Sequence, residues 1–248
     1  NGLVGTYRLP ISHGCSLSLT LYYQCMCGRY VLAEDQNNLL EHFGANLDPD
    51  LVGREFRSNY NIAPSVKVPI VTSQSGERLL TQVRWGIIPP WAKKASTLLI
   101  NARGESVAEK ATFKKAFANN RILIPASGYF EWKRPAKDPF YISTPVGDPG
   151  PLAMAGLVAK SVIEGVVVPT CAIITLPAQP NLEAIHDRMP ACIDTPHWNA
   201  WLDPGVDSET ALGFLVARSN LQATAVGRAV NSVRNNSPAL IQWSTEAD

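Results

Sequence analysis

No apolar run in the 248 residues approaches the roughly 20 that would span a bilayer, so no transmembrane helix is expected. Cysteine is scarce and odd in number. Cys15, Cys25, Cys27, Cys171 and Cys192 contain no C-x-x-C pair, which excludes a zinc knuckle and argues against a disulfide framework. A reducing intracellular compartment fits that usage, and Cys171 and Cys192, in apolar stretches, are expected to be ordinary buried thiols. Internal repeats and low-complexity tracts are also lacking, so a solenoid or an extended disordered array is excluded. Net charge is only +1, yet it is unevenly spread: residues 84–134 hold ten Lys or Arg against Glu105, Glu109 and Glu131, and the remainder is negative. A basic band of this kind suits a surface that meets phosphates, and equally a solvated helix face around Lys110, Lys114 and Lys115.

What is present is enough apolar content, 46%, for one large mixed domain. A helix is expected over 34–43, where Leu39, Leu40 and Phe43 share a face and Gly44 supplies the stop. Alternation at Val66, Val68 and Ile70, a Ser75-Gly76 turn, and renewed alternation from Leu79 to Trp85 predict a β-hairpin. Pro69 would put its first strand at a sheet edge. An amphipathic helix is expected over 107–119, then strands at 121–124, 128–132, 139–143, 152–158 and 166–175, the last a β-branched run typical of a buried strand. A final helix near 208–218, capped by Asp207 or Ser208, would bury Leu212, Leu215 and Val216. Strands dominate, with a few helices outside them.

Six short segments stand out in order: Met26-Cys27-Gly28-Arg29-Tyr30, Asn59-Tyr60-Asn61-Ile62-Ala63-Pro64, Trp85-Gly86-Ile87-Ile88-Pro89-Pro90-Trp91, Ile100-Asn101-Ala102-Arg103-Gly104-Glu105, Gly128-Tyr129-Phe130-Glu131-Trp132 and Ile185-His186-Asp187-Arg188-Met189-Pro190. Together they resemble the SOS-response-associated peptidase (SRAP) family over about residues 26–243. The resemblance implies an α+β fold, mostly antiparallel β and barrel-like, with flanking helices. It implies removal of everything before the cysteine, and then covalent capture of abasic sites in single-stranded DNA by the exposed N-terminal cysteine. Cys27, Asn101, Glu131 and His186 match its functional positions, and Arg29, Arg103 and Arg188 are similar to its DNA-contacting arginines. The chain departs at Val158, where the family usually has an aromatic residue, and at Ala111, where some members carry a DNA-contacting arginine.

The residues support that chemistry independently of the name. An N-terminal cysteine offers an α-amine with pKa about 7.7–8.0 and a thiol of about 8.5, so both nucleophiles are available near neutral pH. The amine can condense with the C1′ aldehyde of an abasic site, and the thiol can close on the same carbon to give a thiazolidine. An internal cysteine cannot, because its nitrogen is an amide. His186 is the natural general acid or base. Alternation on its strand places Tyr129 and Glu131 on one face and Phe130 and Trp132 on the other, and Glu131 could orient the Cys27 amine. Asn101 suits a sugar oxygen or the scissile carbonyl; Arg103, two residues on, suits a phosphate. Trp91 is expected to be exposed as a stacking surface for DNA, and Trp85 to lie in the core. His13, His42 and His197 are left as surface or structural residues.

Residues 1–25 read as foreign to the fold, a non-native or removable extension, with Met26 as the true initiator, 26–243 as the catalytic domain and 244–248 as a tail. The expected partner is single-stranded DNA with abasic sites, without membrane, metal or cofactor, and the chain is expected to be a monomer. Two other classes stay open on residues alone: a cysteine protease acting on other proteins through Cys27 and His186, and a non-catalytic reader of modified DNA bases.

Overall fold

The computed structural model describes residues 28–89, 91–92, 98–148, 150–163 and 165–244. Cys27, Met26, residues 1–25, Cys15, Cys25, His13, Lys93, Lys94 and the last four residues of the tail lie outside them. The first strand, β1 (Tyr30–Leu32), leads into α1 (Gln36–Phe43). Gly44 ends that helix in the left-handed conformation with φ 51°, as the sequence predicts, while its start lies two residues later than expected, with Asp35 capping it by accepting the Asn38 N–H at 2.9 Å. Leu39 and Phe43 are the residues it buries.

After the short strands β2 (Asn46–Leu47) and β3 (Asn59–Ile62), the expected hairpin forms as β4 (Lys67–Gln74) and β5 (Glu77–Trp85). Gln74 pairs with Glu77, and both turn residues take positive φ, 53° at Ser75 and 86° at Gly76, as a type I′ turn requires. Pro69 does not put β4 at an edge. The strand lies between β5 and β7 (Arg121–Ala126), but its ladder to β7 holds only the Val71–Leu123 pair, so no bond there needs a Pro69 N–H.

Between the hairpin and β7 come β6 (Asn101–Arg103) and α2 (Ala111–Asn119); the latter starts four residues later than its periodicity suggests, after a 3-10 turn at Gly104–Ser106. The strands β8 (Gly128–Lys133), β9 (Asp138–Ser143), β10 (Leu152–Ile163) and β11 (Val166–Pro177) match the sequence expectation in place. The β11 run is not buried throughout: Val166 and Val167 are about 60% exposed at the hairpin tip, and burial begins at Thr170. The remaining elements are α3 (Pro180–Glu183), β12 (Arg188–Pro190), α4 (Trp198–Leu202), α5 (Ser208–Leu212) and β13 (Gln222–Ala225). The helix expected near 208–218 stops at Gly213 and buries Ala211, leaving Leu212, Leu215 and Val216 half-buried, because Val216 is drawn into a bridge with Cys192.

The strands form two sheets. One runs β13-β9-β8-β1-β3; the other runs β12-β11-β10-β7-β4-β5-β2. A parallel pairing of β11 with β5, Thr170 to Arg84 and Cys171 to Trp85, closes β11, β10, β7, β4 and β5 into a five-stranded barrel. The mostly antiparallel, barrel-like α+β fold expected from the resemblance is therefore present. The main core joins Tyr30, Tyr129 and Ile142 of the smaller sheet to the barrel, and Cys171 and Cys192 are buried free thiols within it. Burial pushes the Cys192 thiol up to about 12. A second cluster, with Val31, Phe130 and Tyr141, lies on the other face of that sheet.

Candidate functional site

β11 outlasts its barrel partners, and its C-terminal end gathers much of the candidate chemistry. There β6 pairs in parallel on one side, Ile173 beside Asn101 and Thr175 beside Arg103, while β12 pairs antiparallel, Pro177 beside Arg188. Asn101, Arg103 and Arg188 thus arrive from separate parts of the chain at one strand end. His186 stands two residues before Arg188, in the turn after α3.

Trp85 ties this end to the smaller sheet. Its indole N–H donates to the Ile100 carbonyl at 3.0 Å, fixing the residue before Asn101, and its ring meets Tyr30 edge-on at 5.4 Å. Trp85 is fully buried, as expected, and burial raises the Tyr30 hydroxyl well above its usual range. On the neighbouring strand Tyr30 pairs with Tyr129, and the Arg29 carbonyl accepts the Phe130 N–H at 2.9 Å. The expected alternation of β8 holds: Tyr129 belongs to the main core, whereas Phe130 and Trp132 pack in the second cluster. Glu131 shares the Tyr129 face and is only 4% exposed.

His186 is positioned by its own turn. Its Nδ1 accepts the Arg188 backbone N–H at 3.0 Å and lies 3.1 Å from Asp187 Oδ1. One nitrogen cannot accept from the amide and donate to the carboxylate at once. In the neutral ring the amide bond therefore assigns the proton to Nε2. Asp187 has no role that the sequence alone suggests.

The arginines differ in environment. Arg103 is exposed. Arg188 is buried; its guanidinium grips the Glu105 carboxylate through both terminal nitrogens, one bond at 2.8 Å, and also donates to the Thr175 carbonyl at 2.6 Å. Arg29 is buried too, donating to Asn61 Oδ1 at 2.6 Å and to the Val230 carbonyl at 2.9 Å, with its guanidinium over Trp132. By strand alternation it lies on the face opposite Glu131. Arg121, from the basic band, is turned inward onto backbone carbonyls, whereas Lys110, Lys114 and Lys115 are solvated along α2. Trp91 is 64% exposed, as expected, in the connection between the bridged residues Ile87 and Leu99. Ala111 is exposed at the start of α2, and Val158 lines a cleft of about 770 Å³ with Ile70, Val83 and Lys67, away from the β11 end. Among the described residues no group of three or more His, Cys, Asp or Glu could hold a metal, and no helix is long and apolar enough to cross a membrane.

Glu105, held by Arg188 and by the nearby charge of Arg103, has a carboxyl below its usual range. Its contribution to stability is full above the unfolded carboxylate pKa of about 4.3 and is lost as pH falls through the lower folded value. Glu105→Gln should therefore cost about 2 kcal/mol near neutral pH, less than a fully buried pair because Glu105 is half-exposed. Urea titrations of both proteins from pH 7 down to pH 3 check this: the gap should close in acid, and a pH-independent gap would contradict the ion-pair account.

The comparisons with known proteins agree with this architecture. Residues 26–233 match the family model described as SOS response associated peptidase (SRAP). The chain is 36% identical over 226 residues to the Bacillus subtilis abasic site processing protein YoqW, covering 88% of this chain and 99% of that one. It is 31% identical over 229 residues to the Escherichia coli abasic site processing protein YedK, covering 88% of this chain and 99% of that one. Among solved structures, a Bacteroides thetaiotaomicron protein superposes with a TM-score of 0.75 at 22% identity, covering 88% of this chain and all of that one, which speaks for the fold. With six motifs in order, a barrel that brings several of them to one strand end and a family match over most of its length, the chain belongs to the SOS response associated peptidase (SRAP) family.

Proposed function

We propose that this protein processes abasic sites in DNA, and that it does so by capturing them in single strands through Cys27, made N-terminal by removal of the residues before it. The observation that carries the reading is the register of β1 on β8. The Arg29 carbonyl accepts the Phe130 N–H, and extending the β1–β8 register by two residues beyond Tyr30 would bring Gly28 level with the buried Glu131. Residue 27 is bonded directly to Gly28, with consecutive Cα atoms about 3.8 Å apart, and this register supports assigning Glu131 as the partner of a Cys27 amine. The relatives named for abasic site processing support the same substrate class.

Removal and capture use the same sulfur. The Cys27 thiolate attacks the Met26 carbonyl, the peptide nitrogen leaves as the new α-amine with a proton from the site, and water hydrolyses the thioester to restore the thiol. Glu131 is assigned to that amine. The amine then adds to the C1′ aldehyde of the ring-opened sugar and expels water as the imine forms, and the thiol adds across C=N to close the ring. His186, with its proton on Nε2, is assigned to proton transfer at the sugar oxygen; Asn101 holds that oxygen; and Arg103, Arg188 and Trp91 are assigned to the strand, with Arg103 the most accessible cation among them.

Incubation with an abasic single-stranded oligonucleotide, followed by a denaturing gel, tests the reading. A chain whose first residue is Cys27 by mass should give a stable adduct, and its failure to do so would defeat the proposal. His186→Ala should reach the same adduct about 10²–10⁴-fold more slowly, because it removes a proton-transfer group and neither bonding atom. Arg103→Ala should lower the log-log salt slope of non-covalent binding by about 0.7, the contribution of one single-strand phosphate contact; an unchanged slope would remove Arg103 from the strand path.

A further inference from the structure

We infer that Asn61 and Arg29 are positioning residues: together with the turn at 230–235 they form an internal latch that fixes the strand leading out of Cys27. Asn61 is buried and uses its whole amide. Its Oδ1 accepts from Arg29 Nη1 at 2.6 Å, and its Nδ2 lies within bonding distance of three carbonyls, Val230 at 3.3 Å, Ser232 at 3.0 Å and Asn235 at 2.9 Å. Arg29 adds a bond to the same Val230 carbonyl. Trp132, from the strand carrying Glu131, donates its indole N–H to Asn231 Oδ1 at 2.7 Å and underlies the Arg29 guanidinium. Asn236 Oδ1 accepts the Tyr60 N–H at 2.8 Å and closes the far side.

These bonds join the start of β1, β3 and β8 to a segment 201, 169 and 99 residues later along the chain, and they do so on the face of the sheet opposite Glu131. A guanidinium committed there to an amide, a carbonyl and an indole ring serves the site from behind rather than by meeting a phosphate. The chemical need is plain. A nucleophile at the very start of a folded chain has a backbone anchor on one side only, so its placement rests on how rigidly the next two or three residues are held. Arg29 is two residues from Cys27, and Asn61 holds Arg29.

The inference rests on the proposed capture chemistry, so its test carries a readout that does not. Asn61→Ala should slow adduct formation about 10²-fold, the scale of an ångström-level misplacement. Non-covalent affinity for the same oligonucleotide should stay within about twofold, with the salt slope unchanged. Arg29→Lys keeps the charge and loses the fork: a latch predicts a loss similar to that of Asn61→Ala, whereas a phosphate contact predicts near-normal rate and slope. Amide exchange should rise together in peptides covering 28–33 and 230–236 of both variants, while peptides around 171–176 exchange as in the wild type and report an intact barrel. A wild-type adduct rate in Asn61→Ala, recovery in Arg29→Lys, or exchange confined to one of the two segments would overturn the latch. If the wild-type protein forms no adduct, the capture proposal falls and the exchange data alone decide.

Discussion

The Cys27→Ala protein, with the substituted residue verified as its first by intact mass, should form no adduct that survives denaturation. The variant cannot cleave the bond before residue 27 itself, so it is made with alanine as its first residue and in that form keeps an α-amine. It can still condense with the C1′ aldehyde and lose water, and the resulting imine is open to hydrolysis because no thiol is present to close on its carbon. Borohydride delivers hydride to that C=N bond and makes the link permanent, so the same mixture should show a crosslink when reductant is present during the reaction. The paired lanes separate two roles that a simple loss of product would confuse, presentation of an amine and locking by sulfur. Loss of both adducts would place the cysteine in DNA recognition or folding; heat-stable adducts at the wild-type rate would remove sulfur from the product. Internal thiols offer no substitute, since Cys171 and Cys192 are buried and lack a free α-amine.

Arg121→Leu should unfold the protein more readily than any substitution at the rim of the site, by about 4 kcal/mol. Arg121 is 3% exposed, and its guanidinium serves the ends of several elements. It donates to the Trp201 carbonyl at 2.7 Å, to Phe117 at 2.8 Å, to Ala118 at 3.2 Å, to Val206 at 3.0 Å and to Asp203. Phe117 and Ala118 lie in the last turn of α2, where carbonyls lack helical partners, so one cation satisfies that terminus and the end of α4 together. Leucine fills similar length but leaves these acceptors without donors, at roughly 1 kcal/mol or more each where water does not reach them. Urea unfolding measures the cost. A loss below about 1 kcal/mol would show that water replaces the guanidinium, and an altered salt slope for DNA would return Arg121 to the binding surface from which its burial removes it.

Arg121 also shows why a charge count is a blunt reading of a sequence. The band at 84–134 is real as composition, yet it mixes an internal strut with the exposed lysines of α2. Periodic signals fared better. The Gly44 stop of α1, the β4–β5 hairpin and the β7 to β11 strands were legible because each is specified by residues within about ten positions of one another. The errors arise where distant partners intervene: Pro69 sits in an inner strand because β7 meets β4 at only one residue pair, and Val216 leaves its helix for a bridge to Cys192.

The site divides in the same way. Short motifs single out Asn101, Glu131 and His186 as candidates, and the alternation of β8 correctly set Glu131 apart from Phe130 and Trp132. The groups that hold such residues could not. Glu105 finds Arg188 across 83 residues, and Asn61 finds the Val230 carbonyl across 169, separations that leave no periodic trace. Both residues stand inside motifs without a role of their own, because a motif names residues and says nothing of what lies beside them once the chain has closed.

The bond from Arg29 to the Val230 carbonyl, spanning 201 residues, also sets a timetable for biosynthesis. At about 5–20 residues per second, a ribosome that has made Arg29 needs roughly 10–40 s more to reach Val230. Until then the first strand of the nascent chain can pair with β3 and later with β8, but the Arg29 side chain has only Asn61 to meet and lacks the Val230 carbonyl that completes its bonds. Chains truncated before residue 230 should therefore retain whatever precedes Cys27, and released full-length chains should lose it, so that the reactive end is uncovered only when the polypeptide is finished. Mass analysis of stalled and released products would read this order directly, and cleavage in the truncated chains would contradict it.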